Sequence, residues 1–266
     1  MIVATCLALT LTSMSLQAPK WVLTLSEEFD GAAGAGANPK VWGNDVGGHG
    51  FGNAEWQSYT PGNENAFLDG KGNLVIEARK EKAKIGNDPE REYTSGRLLT
   101  KGKFSQKYGR FEARIKLPSG KGIWPAFWMM GDNITEAGWP NGGEIDIMEF
   151  LGHDPRTVYG TIHGPGYSGG QSKGANKKLP EGGSYLKDFH VFAVEWEPDL
   201  IKWLVDGEVC KTWTPKDVEP NKWVYDHPFF IILNVAVGGN WPGYPDASTV
   251  FPQRMLVDYV RVYKKG

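Results

Sequence analysis

The run Glu144-Ile145-Asp146-Ile147-Met148-Glu149 sets three carboxylates into a stretch whose other members are apolar. Burying an unpaired carboxylate is costly, so acids on a packed strand point to acid–base chemistry rather than to solubility. Side chains alternate across a strand, which places Glu144 and Asp146 on one face and Ile145 and Ile147 on the other. Strict alternation would send Glu149 to the apolar face. One extra residue in a β-bulge, assigned here to Met148, returns it to the side of the other two acids. With that residue absorbed, the glutamate Cα atoms stand about four strand steps apart, roughly 13 Å at ~3.3 Å per residue. Side chains leaning together bring the carboxyls toward the roughly 5–5.5 Å separation of a retaining glycosidase, and the wider inverting spacing is also within reach. Asp146 would restrain one glutamate by a hydrogen bond, and its charge would help keep a neighbouring acid protonated. The alternative is a set of solvated acids on an exposed edge strand. The intervening isoleucines and the flanking Trp139, Met148 and Phe150 argue instead for a packed strand.

The elements that must hold these acids are strands. Period-two alternation recurs along the chain, and no window shows a sustained amphipathic helix. In Phe111-Glu112-Ala113-Arg114-Ile115-Lys116-Leu117 apolar and charged residues separate cleanly onto two faces. Comparable signals occur at Leu74 to Arg79, Val158 to His163, Val191 to Glu197, Phe229 to Val237 and Met255 to Tyr263. Asp206-Gly207 between Ile201–Val205 and Glu208–Trp213 marks a tight hairpin. Many strands joined by Gly, Pro and Asn turns predict an all-β fold, a two-sheet antiparallel sandwich or jelly roll. No composition shift or Pro/Ser linker divides the chain after residue 20, so residues 19 to 266 are expected to form a single domain. The glycine-rich stretch from Gly164 to Gly183 reads as a long rim loop or disordered excursion. The charged stretch from Lys80 to Glu92 reads as an ordinary solvated loop without function.

The 266 residues carry 29 basic and 31 acidic side chains, so there is no basic field of the kind that nucleic-acid binding uses, and a neutral partner fits better. The 35 glycines and 11 tryptophans suit a turn-rich β fold with more flat aromatic surface than a core requires. Residues 1 to 18 are uncharged and apolar and end in small residues, which reads as a signal peptide lacking the usual basic start. A first strand is the bland alternative. Thr5, Thr10, Thr12, Ser13 and Ser15 dilute a segment already short for a membrane span. Cleavage would remove Cys6 and leave Cys210 without an intrachain disulfide partner.

Trp124 and Trp128, four apart in Ile123-Trp124-Pro125-Ala126-Phe127-Trp128, project to one face of an extended strand. That face could form a binding floor on which sugar C–H patches pack against indole; filling the sandwich core is the alternative. Pro125 removes a ladder hydrogen bond and is expected at an edge or a bulge. His163 closes a strand signal just before the glycine-rich stretch, where it could contact substrate or simply bond local backbone. Arg97 could bind hydroxyls or restrain a glutamate, although an isolated arginine is most often a surface charge.

The acidic run and its neighbours resemble glycoside hydrolase family 16, specifically its bacterial laminarinase-like branch. The resemblance rests on Glu27-Glu28-Phe29-Asp30-Gly31, Tyr93-Thr94-Ser95-Gly96-Arg97, Lys107-Tyr108-Gly109-Arg110-Phe111-Glu112-Ala113-Arg114 and Gly122-Ile123-Trp124-Pro125-Ala126-Phe127-Trp128. It continues in His190–Trp196, Asn234–Gly243 and Val257–Tyr263, and so covers residues 21 to 264. The extra Met148 is similar to the bulged form of the motif in laminarinases, which the lichenase branch lacks.

The resemblance implies a β-jelly roll with an open concave cleft and a retaining endo-β-1,3-glucanase that works by double displacement. Glu144 matches the nucleophile, Glu149 the general acid/base and Asp146 the assisting acid. Family positions further imply sugar contacts from Asn65, Arg97, Trp124, Trp128 and His163, with Trp139 and Trp241 as rim aromatics. No catalytic cofactor is implied. A structural calcium ion is, bound by the carbonyls of Glu28 and Gly72 and the carboxylate of Asp258; oxygen ligands suit that ion. Gly164 stands where many relatives carry an aromatic residue, so the cleft is expected to be more open there. The expected partner is a β-glucan polysaccharide, with no nucleic acid, no membrane after signal removal, a secreted location and a monomeric state. Alternatives within the fold are a mixed-linkage β-1,3-1,4-glucanase or a transglycosylase. An alternative of another class is a non-catalytic glucan-binding module.

Overall fold

The computed structural model describes residues 20–266, so the expected signal segment, residues 1 to 18, lies outside the described residues. Two large antiparallel sheets pack face to face, the sandwich that the alternation predicts. Seven strands of the first sheet run in the order Glu208–Trp213, Leu200–Val205, His190–Glu197, Gly109–Lys116, Gln253–Lys265, Leu74–Ala78 and Ala66–Leu68. Trp21–Glu27 adds to the end of Gln253–Lys265. The second sheet runs Lys173–Lys178, Thr157–His163, Glu144–Phe150, Ile123–Gly131, Phe229–Val237, Arg97–Leu99 and Gly43–Asn44. A short parallel pair, Gln57–Tyr59 with Tyr93–Ser95, stands beside them.

The core lies between the sheets. From the first sheet come Phe111, Ile115, Trp196 and Trp203; from the second come Phe127, Met129, Ile145 and Phe150, all sealed from solvent. Each such side chain contributes roughly 1.5–3 kcal/mol by leaving water, which makes the inward faces nearly invariant in their apolar character along each strand. Every residue of Phe229–Val237 is buried, because one face meets the core and the other is covered by cleft walls. At the predicted hairpin, Asp206 and Gly207 both have positive φ, 51° and 80°, as a two-residue turn matching the strand twist requires.

Two expectations change. The stretch Gly164–Gly183 is not one long loop: Lys173–Lys178 forms the edge strand of the second sheet and pairs in register from Thr157↔Lys178 to Ile162↔Lys173. Its residues, Lys-Gly-Ala-Asn-Lys-Lys, carry no apolar stripe because the strand covers little core, and the lysines blunt an open edge. Pro125 lies in a central strand rather than at an edge. It is tolerated because pairing with the acidic strand ends at Ala126↔Glu149, one residue before it.

Candidate active site

The acidic strand holds a central position in the second sheet, and its register breaks where the sequence requires. Against Ile123–Gly131, the partners run Asp146↔Trp128 and then Met148↔Phe127; against Thr157–His163 they run Asp146↔Thr161 and then Glu149↔Tyr159. The bulge is present, but the residue without a partner against Ile123–Gly131 is Ile147 rather than Met148. Both are sealed in the core, and composition alone does not say which of two adjacent apolar residues is skipped. The phase shift turns Glu149 outward, so Glu144, Asp146 and Glu149 all line one cleft of about 870 Å³.

Each glutamate is met by an indole. Trp139 Nε1 donates to Glu144 Oε2 at 2.8 Å, and Trp124 Nε1 donates to Glu149 Oε1 at 3.2 Å. His163 Nε2 lies 3.0 Å from Asp146 Oδ2 and 3.7 Å from Glu144 Oε1. Burial first, and the Asp146 charge second, push Glu144 up to about 8 and Glu149 well above the carboxylate range. Burial opposes protonation of His163, but the carboxylates, Asp146 foremost, outweigh it and raise the ring to about 9. Glu144 is the better-supported anion of the two glutamates: it takes the shorter indole bond and lies beside the imidazole.

Donor atoms of Glu144, Asp146 and His163 converge within 4.8 Å, the one such grouping among the described residues. The amide of Gly169 donates to His163 Nδ1 at 3.1 Å, which places the proton of the neutral ring on Nε2, facing Asp146. A metal at Nε2 would require that proton on Nδ1, against the Gly169 N–H. The cluster is therefore arranged to share protons.

Around the acids, Trp124, Ala126, Trp128 and Met130 form the cleft floor, the outward half of their strand. Trp241 packs edge-on against Trp124 at 5.5 Å and against Tyr159 at 5.0 Å, while Trp139 stands half exposed near His163. Arg97 lies 5.0 Å over Trp128 and 4.9 Å over Phe51, and its Nε pairs with Asp45 at 2.9 Å. His49, Phe51, Asn53 and Glu55 also line the cleft without having been singled out in the sequence. Glu55, Gln57 and Tyr59 alternate in Glu55-Trp56-Gln57-Ser58-Tyr59, a signal that would have grouped them. Gln57 Nε2 donates to Glu55 at 2.6 Å, Asn234 Nδ2 to Tyr59 Oη at 3.2 Å, and Trp128 Nε1 to Asn234 at 2.7 Å. This network ties Trp128 through Asn234 to Tyr59 and places Glu55 and Asn234 at the cleft surface.

Asn65 is not brought to the cleft. It is buried, and its amide is spent on Thr60, the Glu77 carbonyl and Thr94. At the calcium set, Asp258 is the bulged residue between Val257 and Tyr259, and its Oδ2 accepts from Arg114 at 2.7 Å. A cation there would share its one charged ligand with a guanidinium, and Glu28 directs its carboxylate to Arg261 at 2.8 Å. Beside Gly164 there is no added opening: a methyl group there would lie 2.3 Å from the ring of Tyr167, which takes up that space. The Lys80 to Glu92 segment is more than a solvated loop. Asp88 accepts from the Gly48 amide at 2.6 Å and Arg91 donates to the Gly48 carbonyl at 2.7 Å, which braces the segment carrying His49 and Phe51.

The sequence model described as Glycosyl hydrolases family 16 matches residues 53–261. A beta-glucanase of Rhodothermus marinus is 45% identical over 259 residues, covering 93% of this chain and 87% of its own length. Among solved structures, the catalytic domain of an endo-1,3-beta-glucanase (laminarinase) from Thermotoga petrophila superposes with a TM-score of 0.88 at 52% identity, covering 93% of this chain and 99% of that one. An endo-beta-1,3-glucanase from Pyrococcus furiosus superposes at 0.89 with 50% identity, over 95% and 98% of the two chains. With the acidic cluster seated in an aromatic cleft on the outer face of a two-sheet β sandwich, these matches make the chain a member of glycosyl hydrolases family 16.

Proposed function

We propose that this chain is a secreted endo-β-1,3-glucanase that cuts internal bonds of laminarin-like glucans with retention of anomeric configuration. The carrying observation is the bulge at Ile147, which brings Glu149 to the same cleft wall as Glu144 and Asp146. The names of the similar proteins support the β-1,3-glucan substrate, and a cleft of about 870 Å³ floored by tryptophan suits sugar rings.

In this reading Glu144 attacks the anomeric carbon as a carboxylate. The bond to the leaving oxygen breaks as Glu149 delivers its proton to that oxygen, giving a glycosyl ester on Glu144. Glu149, now ionised, takes a proton from water; the resulting hydroxide character attacks the same carbon and releases Glu144. Asp146 and His163 share a proton beside Glu144 and hold its orientation. Trp124, Trp128, Trp139 and Trp241, with Arg97, receive the sugar rings. The chemistry is carried by side chains, without a catalytic cofactor, in a monomeric domain spanning residues 19 to 266 after removal of residues 1 to 18.

The test is a product profile on laminarin, mixed-linkage glucan, agarose and carrageenan, with the anomer of the first product followed by NMR. Oligosaccharides from laminarin, released first as the β-anomer, are expected. An α-anomer overturns the retaining assignment, cleavage confined to another polysaccharide overturns the substrate, and product lengthening indicates transfer to sugar instead of water. N-terminal sequencing of protein recovered outside the cell tests the leader.

A further inference from the structure

The bulge that sets Glu149 has a structural cost: the carbonyl of the extra residue, Ile147, faces the sealed core, where an unpartnered oxygen is expensive. It is satisfied from the other sheet. Trp203, on Leu200–Val205 and fully buried, donates from Nε1 to Ile147 O at 2.7 Å. The neighbouring strand makes room for this reach. Gly160 lies between Tyr159 and Thr161, the residues that pair on either side of the bulge, so it stands opposite the skipped segment. A methyl group at 160 would come within 2.5 Å of Trp203 Cε2 and 2.6 Å of Nε1. Gly160 has no positive φ, so glycine is needed there for space and not for backbone freedom.

We infer that Trp203, reaching past Gly160, is a positioning residue for the reaction: its indole N–H pins the bulge at Ile147 and thereby fixes Glu149 relative to Glu144. This deepens the proposed function and rests on it. A strand that loses a bulge exchanges the faces of the side chains that follow, whereas moving the bulge by one residue keeps those faces and changes only which carbonyl is left over. Without the indole donor, the register with Ile147 skipped leaves a buried carbonyl unpaired, and the register without a bulge, which turns Glu149 to the core, gains population. Glu149 is the residue whose face depends on the choice. Glu144 and Asp146 precede the bulge and keep their partners Met130 and Trp128.

The experiment uses the full chain. Wild type is first assayed on the four polysaccharides above, and the variants are assayed on whichever it cleaves. A wrong substrate then shows in the wild type, whereas a wrong positioning role shows in the variants; inactivity of wild type on all four overturns both. At position 203, benzothienylalanine keeps the bicyclic shape and replaces the N–H by sulfur. Trp203→Phe, alone and combined with Gly160→Ala, provides a genetic version in which the alanine methyl fills space vacated by the smaller ring. The expected result is a kcat lower by roughly 10- to 100-fold, as for a misplacement of about 1 Å, with KM changed by less than about twofold. The Gly160→Ala addition is expected to restore melting temperature to Trp203→Phe without restoring kcat. Trp42→Phe, which removes an indole bond to buried Glu27 elsewhere in the core, serves as the control for destabilisation alone. A kcat within about twofold of wild type in the benzothienylalanine protein, or an equal loss in Trp42→Phe, overturns the inference.

Discussion

The indole N–H of Trp139 reaches Glu144 at 2.8 Å from a ring that is itself half exposed at the cleft. The proposed nucleophile thus takes its direct hydrogen bond from a side chain that a bound sugar would touch. Trp124 stands in the corresponding relation to Glu149 at 3.2 Å. Substrate seated on these rings would bear on the two acids through the same atoms that orient them.

Glu144→Gln removes the charge of the proposed nucleophile at almost constant volume. Turnover is expected to fall by roughly 10⁴-fold or more, while laminarin binding changes little. Steady-state rates and affinity electrophoresis check both halves; near wild-type hydrolysis by the folded variant would remove Glu144 from the mechanism.

The same substitution should stabilise the fold in a pH-dependent way. Glu144 is held near 8 in the folded chain, against an ordinary value of about 4.3, so the folded state keeps a proton that the unfolded chain gives up. The stability that this proton carries is complete below the ordinary value and is lost as pH rises through about 8. A glutamine cannot ionise and does not lose it. The variant's melting temperature should match wild type near pH 4 and exceed it increasingly toward pH 8, by about 2–4 °C per kcal/mol relieved. A constant offset across that range would contradict the assignment.

Glu149→Gln should respond to small anions. On a substrate with a good leaving group the glycosyl ester still forms, but no base activates water, so azide is expected to restore turnover and to appear in the product as a β-glycosyl azide. If azide adds no product, Glu149 is not the acid/base.

Asp146 raises both glutamates by its charge. In Asp146→Asn both values should fall, so the acid limb of the pH–rate profile, set by ionisation of Glu144, and the alkaline limb, set by loss of the Glu149 proton, should both move to lower pH. Profiles of kcat/KM for the two proteins decide this. An unchanged or upward-moving acid limb would place the control of Glu144 elsewhere.

The Gly48 brace predicts a separable effect. Asp88→Ala and Arg91→Ala release the segment that carries Phe51 over Arg97, at a distance from the reacting atoms. KM should rise roughly 3- to 10-fold with kcat within about twofold. Loss confined to kcat would mean that the loop acts on the acids.

The sandwich, the shared face of Glu144 and Asp146, the need for a bulge before Glu149 and the shared face of Trp124 and Trp128 were all legible in the chain; that the two tryptophans face the cleft and not the core was decided by the structure. Each follows from a period-two pattern, and that pattern is local: covalent geometry sends alternate side chains to opposite faces whatever lies across the sheet. What tertiary structure decided is everything that depends on a partner distant in sequence. Asn65 is drawn to the Glu77 carbonyl and Thr94, away from the cleft, and a polar strand forms at Lys173–Lys178 only because Thr157–His163 offers it an edge. The skipped residue is Ile147, whose carbonyl meets Trp203 from the opposite sheet, and a loop distant in sequence holds Gly48. Alternation says which face a side chain takes. Which buried polar group it must satisfy is settled only when strands far apart in the chain are brought within hydrogen-bond distance.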